Sequence, residues 1–144
     1  MTRYLLDTNV VSEATRSKPS QPLLDWLAQQ RDGDLFISTL TLAELRRGVL
    51  EKPAGQKKRQ LENWFNGPEG PRALFRGRIL SFDETAAGEW ARIMAAGTGT
   101  GRPRSPLDMI IAATAAANRC VVASLNARHF QGVVAFINPS RPGT

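Results

Sequence analysis

Three acids in the 144-residue sequence, Asp7, Glu44 and Asp108, stand where carboxylates can do chemistry. Asp7 closes an apolar run in LLDTNVVSE. An acid at the carboxyl end of a parallel strand faces the crevice in which α/β proteins bind ligands, although alone it also reads as a turn former or the N-cap of a following helix. Glu44 lies in STLTLAELRRG three residues after Thr41, the spacing of a capping box. Ser105-Pro106-Leu107-Asp108 repeats that pattern, with proline at the first helical position. Singly, each acid reads as a cap. Together, each falls at the end of an expected strand or in the first turn of a helix beside such an end. Three negative charges in a poorly solvated pocket repel strongly unless a cation neutralises them. Carboxylate oxygens without Cys or His favour a hard cation, Mg²⁺, with Mn²⁺ as a substitute.

Other chemistries are excluded by inventory. His129 is the one histidine and Cys120 the one cysteine, so multi-histidine and cysteine zinc sites are ruled out. Cys120, in the apolar run CVVAS, reads as a small buried hydrophobe. The sequence has no G-x-S-x-G elbow and no phosphate-binding G-x-x-x-x-G-K-[ST] loop. The glycines of GTGTGRPRS, Gly97 to Ser105, follow a helical stretch and lack dinucleotide-binding spacing. What remains is metal-assisted attack on a phosphate.

The elements that must position the acids follow from periodicity. Strand-like runs cover Tyr4 to Leu6, Leu35 to Ser38, Ile79 to Phe82, Val121 to Ser124 and Val133 to Ile137. Helical patterns cover Val10 to Arg16, Pro22 to Arg31, Leu42 to Leu50, Gln56 to Phe65, Thr85 to Ala96 and Pro106 to Asn118. The alternation predicts an α/β domain with a mostly parallel sheet of about five strands, both faces covered. GPEGPRALFRGR, Gly67 to Arg78, and GTGTGRPRS are expected as loops, the second a mobile rim on a binding face.

Length and composition (42% hydrophobic, 22% charged) fit one soluble globular domain spanning residues 1–144. No apolar run approaches the roughly 20 residues of a membrane span. Carboxylates come too early for a secretory leader, and a cytoplasmic setting is expected. With 19 Lys and Arg against 13 Asp and Glu, the net charge is +6. That excess, mostly arginine, favours a nucleic-acid partner, although it also simply aids solubility.

At these residues a family becomes visible. Tyr4-Leu5-Leu6-Asp7-Thr8-Asn9-Val10-Val11-Ser12-Glu13 resembles the amino-terminal signature of PIN-domain nucleases, in the FitB-like branch of VapC toxins. Ile37-Ser38 and Ala43-Glu44-Leu45-Arg46-Arg47-Gly48 resemble the second block, Pro106 to Ala115 the third, and Phe136-Ile137-Asn138-Pro139 the close. The resemblance implies a PIN-like three-layer fold with strand order 3-2-1-4-5 and metal-dependent endoribonuclease activity. It also implies a homodimer and a VapB-type antitoxin partner. Asp7, Glu44 and Asp108 would be the acidic Mg²⁺ ligands, with Thr8 and Asn9 supporting the first. The chain departs from the family pattern after the fourth strand. In Ser124-Leu125-Asn126-Ala127-Arg128-His129, Asn126 offers a neutral carbonyl oxygen at the fourth catalytic position and His129 replaces a later acid. That weakens the case for a second, tightly held metal.

Of the arginines, Arg46 is a candidate to orient a carboxylate or meet phosphate, and Arg102 and Arg104 to hold the RNA backbone. His129 reads as a surface residue and is left outside the site. Leu61 to Phe65, with Trp64, reads as core packing first and as dimer or antitoxin surface second. The runner-up function is a PIN-like RNA-binding protein with weak or no activity. A haloacid-dehalogenase-type phosphatase would need an acid where Asn9 stands.

Overall fold

The computed structural model describes residues 1–142. Five short strands, β1 (Tyr4–Leu6), β2 (Leu35–Ser38), β3 (Ile79–Leu80), β4 (Val121–Ala123) and β5 (Phe136–Ile137), form a parallel sheet in the order β3-β2-β1-β4-β5. This is the expected α/β architecture and strand order. The helices are α1 (Thr8–Ala14), α2 (Gln21–Gln29), α3 (Thr39–Leu50), α4 (Gln56–Asn66), α5 (Pro71–Leu74), α6 (Glu84–Gly99) and α7 (Pro106–Ala117).

Successive strand residues face opposite sides of a sheet, and two pairs here divide the core in two. Leu5 and Val122 enter an apolar cluster with residues of α6 and α7, while Leu6 and Ala123 enter the cluster built by α1 to α4. Both faces being covered, these strands read as continuous apolar runs rather than alternating ones. Ala112, Ala113 and Ala115 of α7 are fully buried, and such small side chains let the helix lie close to its neighbours.

The chain steps from β1 to β2 and β3 on one side and to β4 and β5 on the other. The carboxyl ends of β1 and β4 therefore flank a topological switch point, the place where open α/β sheets form ligand crevices.

Some expected boundaries move. β3 and β5 are shorter than their apolar runs. Ser81 and Phe82 lead into Asp83, the N-cap of α6, and Val133 and Val134 follow a 3₁₀ turn (Ala127–Phe130) and pack against the α6–α7 core. The Gly67 to Arg78 segment holds α5, started by Pro71 at its first position. Arg78 there is structural, donating to the carbonyls of Asp32, Leu35 and Leu74.

The expected loop at Gly97 to Ser105 begins as helix, since α6 runs on to Gly99. The remainder is tied down, with Arg102 N donating to Gly97 O at 3.0 Å and Arg104 Nη1 to Ile93 O at 2.8 Å. Among the described residues no helix is long and apolar enough to cross a membrane.

Candidate active site

Asp7 leaves β1 with extended backbone (φ −66°, ψ 157°) and caps α1, its Oδ1 accepting the Thr8 N–H at 2.8 Å. Its own N–H donates to Ala123 O at 2.8 Å, which pins it to the end of β4. Ser124, the next residue and fully buried, donates its hydroxyl to Asp7 Oδ2 at 2.8 Å. Asn9 secures the same junction. Its Nδ2 donates to Ser124 Oγ at 3.3 Å and, weakly, to Asp7 Oδ2 at 3.5 Å, while its Oδ1 accepts from Leu125 N at 3.1 Å. Cap and site residue are thus one and the same for Asp7.

Glu44 arrives differently from the capping-box expectation. The N-cap of α3 is Ser38, whose hydroxyl accepts from Thr41 N at 3.0 Å, so Thr41 is already inside the helix and Glu44 lies in its second turn. The strand ends on a serine that caps at once, which leaves Thr41 no N-terminal N–H to satisfy. Its buried hydroxyl instead sits 3.0 Å from that of Thr8, and Thr8 donates to Glu44 Oε1 at 2.6 Å. A hydroxyl has one proton. With that of Thr8 given to the carboxylate, Thr41 donates in the contact between them.

Asp108 sits as the sequence predicts, in the first turn of α7 behind the Ser105 cap and Pro106. Its Oδ2 lies 3.3 Å from Nδ1 of His129. Asp7, Thr8, Asn9, Glu44, Asp108 and Asn126 line one cleft of about 390 Å³. The four residues expected to be catalytic therefore line the same cleft, and His129, left outside by sequence reasoning, lines it with them. Two residues that sequence reasoning did not rank, Ser124 and Thr41, hold the acids in place. The serine directly after β4 was the available signal for the first; the spacing of the second to Glu44 marked it only as a cap.

Electrostatics agree with the geometry. Burial is the largest influence on Asp7 and raises its pKa; hydrogen bonds from Ser124 and Thr8 oppose the rise, and the charges of Asp108 and Glu44 add to it. The acids of α3 and α7 are thus within Coulombic reach of Asp7. Among the described residues, no three His, Cys, Asp or Glu side chains are gathered closely enough to hold a metal ion as they stand. Oxygen donors with surplus negative charge around an open cleft fit a hard ion that keeps much of its water, and the fit is one of donor type and charge.

The arginines divide. Arg46 points to α4, pairing with Glu62 at 2.8 Å and lying over the Phe65 ring at 5.5 Å, so it serves packing rather than the acids. Arg102 and Arg104 line a second groove of about 760 Å³ that shares Asp108 and His129 with the cleft. In Leu61 to Phe65, Phe65 is core, while Leu61 and Trp64 are half-buried and line a third groove of about 570 Å³, which opens at Thr8 and Glu44. Cys120 is buried, as expected.

Comparison with known proteins gives the same picture. The PIN domain model matches residues 4–134. The VapC ribonuclease Y4jK of Sinorhizobium fredii is 35% identical over 139 residues, covering 96% of this chain and 98% of its own. Toxin FitB of Neisseria gonorrhoeae is 38% identical over 136 residues, covering 94% and 96%. A solved structure of FitAB bound to a DNA fragment superposes with a TM-score of 0.89 at 35% identity, covering 98% of each chain. With the sheet order, the acid cleft and full-length relatives in agreement, the chain belongs to the PIN domain family, among its VapC and FitB members.

Proposed function

We propose that this protein is the toxin of a type II toxin–antitoxin pair, a metal-dependent endoribonuclease that hydrolyses RNA phosphodiester bonds with Mg²⁺, or Mn²⁺ in its place, at the acid cleft. The observation that carries the reading is the meeting of Asp7, Glu44 and Asp108, from three separate elements, on that cleft. The names of the relatives, a ribonuclease and a toxin, support it.

Asp7, Glu44 and Asp108 would hold the ion, largely through water, because Mg²⁺ dehydrates reluctantly. Such an ion lowers the pKa of water and neutralises charge on a phosphate. The chain's own part is to orient the acids. The Ser124 hydroxyl and the Thr8 N–H favour the charged form of Asp7, and the Thr8 hydroxyl fixes Glu44. Asn126 lines the cleft as a neutral fourth residue, which would add a hydrogen-bonding group without adding repulsion. Arg102, on the neighbouring groove, holds the RNA backbone.

The proposal includes two protein partners, a VapB-type antitoxin and a second copy of the chain. The FitB-like structure was solved as FitAB on DNA. Here the groove floored by Leu45, Val49, Leu61 and Trp64 runs to Glu44, so a segment seated in it would reach the acids.

Purified protein incubated with structured RNAs plus Mg²⁺ or Mn²⁺ tests the reading, with Asp7→Asn alongside. Cleavage by the parent that is lost in the variant and in chelator is the expected result; no cleavage by the parent with either ion overturns it.

A further inference from the structure

The 760 Å³ groove beside the acid cleft has chemistry that hydrolysis alone leaves unused, and its volume lies in the range of sites that take small organic molecules. Its floor is apolar, made by Met109, 2% exposed, and by half-buried Val133. Around the floor stand Arg102, Gln131 and His129. Among the described residues, the side chains of Arg102 and Gln131 are engaged by no other residue, so both are open to a ligand.

The groove wall is held in place. Arg102 N donates to Gly97 O at 3.0 Å, and Arg104 is anchored on Ile93 O while its methylenes lie against Gly97, where an added Cβ would come within 2.9 Å of Arg104 Cγ. Asp108 and His129 line groove and cleft alike, so a molecule bound in the groove reaches directly to the acids.

We propose that this groove is a subsite for one unpaired nucleotide next to the bond that is cut. A base has apolar faces and a polar edge, and the groove offers the complement. The face lies on Met109 and Val133 and against the imidazole of His129; the edge meets the Gln131 amide, which both donates and accepts; the guanidinium of Arg102 takes the phosphate. In a duplex the base faces are already stacked, so the groove selects single-stranded RNA. Gln131 then sets base preference, while Arg102 contributes without regard to sequence. The inference rests on the ribonuclease reading given above.

Both residues are exposed, so truncation leaves the core intact. Two measurements test the subsite. One is binding of labelled RNA, single-stranded and as a duplex of the same sequence, to the Asp7→Asn protein with and without Arg102→Ala or Gln131→Ala. The other is sequencing of the ends produced from a random single-stranded RNA pool by protein with an intact Asp7.

Arg102→Ala is expected to weaken single-strand binding about tenfold for every sequence and to reduce the salt slope by about 1. Gln131→Ala is expected to flatten base preference at one position flanking the cut. Arg59→Ala, which removes a charge from exposed α4, serves as the control for charge alone.

If the parent cuts RNA but both variants bind and cut with the parent's affinity and base profile, the subsite is wrong and the enzyme reading stands. That outcome also holds if the groove seats a protein instead. Tighter binding of duplex than of single strand overturns the subsite too. A parent that cuts no RNA with either ion overturns both readings.

Discussion

Ser124 Oγ donates a 2.8 Å hydrogen bond to Asp7 Oδ2, joining the ends of β4 and β1 across 117 residues of sequence. The same hydroxyl accepts from Asn126 N at 3.0 Å. Ser124→Ala takes one hydrogen bond from the half-buried Asp7 carboxylate and one from the Asn126 N–H, a change that costs about 1–3 kcal/mol. It also removes the main influence holding the Asp7 pKa down. Urea denaturation should show the loss of stability, and the acid limb of the RNA-cleavage profile should move to higher pH.

The pH dependence of stability follows from Asp7. Its carboxyl is held above the ordinary value of 3.8, chiefly by burial, with Asp108 and Glu44 adding. The folded protein therefore keeps this proton to a higher pH than the unfolded chain does. Between the unfolded and folded pKa values the native state binds more protons, so stability falls as pH rises through that window and stays at its lower level above it. Asp7→Asn removes the charge. In metal-free buffer its Tm should exceed the parent's at neutral pH, with the difference closing below about pH 4. Thermal melts across pH decide this, and a lower Tm for the variant at neutral pH would contradict the burial argument.

Thr8 tethers Glu44 through its 2.6 Å hydroxyl bond. Thr8→Val keeps the shape, deletes that bond, worth about 1 kcal/mol at an exposed carboxylate, and takes the acceptor from the buried Thr41 hydroxyl. The expected result is a several-fold higher Mn²⁺ concentration for half-maximal cleavage, a Tm lowered by the unpaired Thr41 hydroxyl, and recovery of both in Thr8→Ser.

Two glycines in α6 should respond in opposite directions to alanine. A Cβ on Gly97 would meet Arg104 Cγ at 2.9 Å and Arg102 O at 3.0 Å, whereas one on Gly88 meets nothing within 4 Å. Gly88→Ala should stabilise by about 1 kcal/mol through helix propensity. Gly97→Ala should instead destabilise by about 1–3 kcal/mol through overpacking and displace the arginine-bearing segment. Paired denaturation curves settle both.

Much of this was legible in the sequence because local chemistry and tertiary placement coincide. The Ser105-Pro106 start of α7 places Asp108 on its own, and LLDT places Asp7 at the end of a buried strand. The Thr41–Glu44 box misled because Ser38 caps the helix one turn earlier; a strand that runs straight into a helix hides its cap inside the strand. Arg46 followed Glu44 in sequence yet turns to Glu62, since neighbours one and two apart on a helix face different ways. His129 was read from its own surroundings alone, and only the packing of the 3₁₀ turn against the start of α7 brings it to Asp108. The β5 run fell short because Val133 and Val134 serve a packed turn rather than the strand, and the β3 run because Ser81 and the exposed Phe82 lead into the Asp83 cap.

The central claim, that Asp7, Glu44 and Asp108 together hold one divalent ion, is tested most directly by counting free Mn²⁺ by electron paramagnetic resonance. The titration compares the parent with Asp7→Asn, Glu44→Gln and Asp108→Asn. Changes even in the outer shell of a metal site cost about ten- to a hundredfold in affinity, so each neutralisation is predicted to cost at least about tenfold. An affinity equal to the parent's in any of the three, or no Mn²⁺ taken up by the parent, would contradict the account.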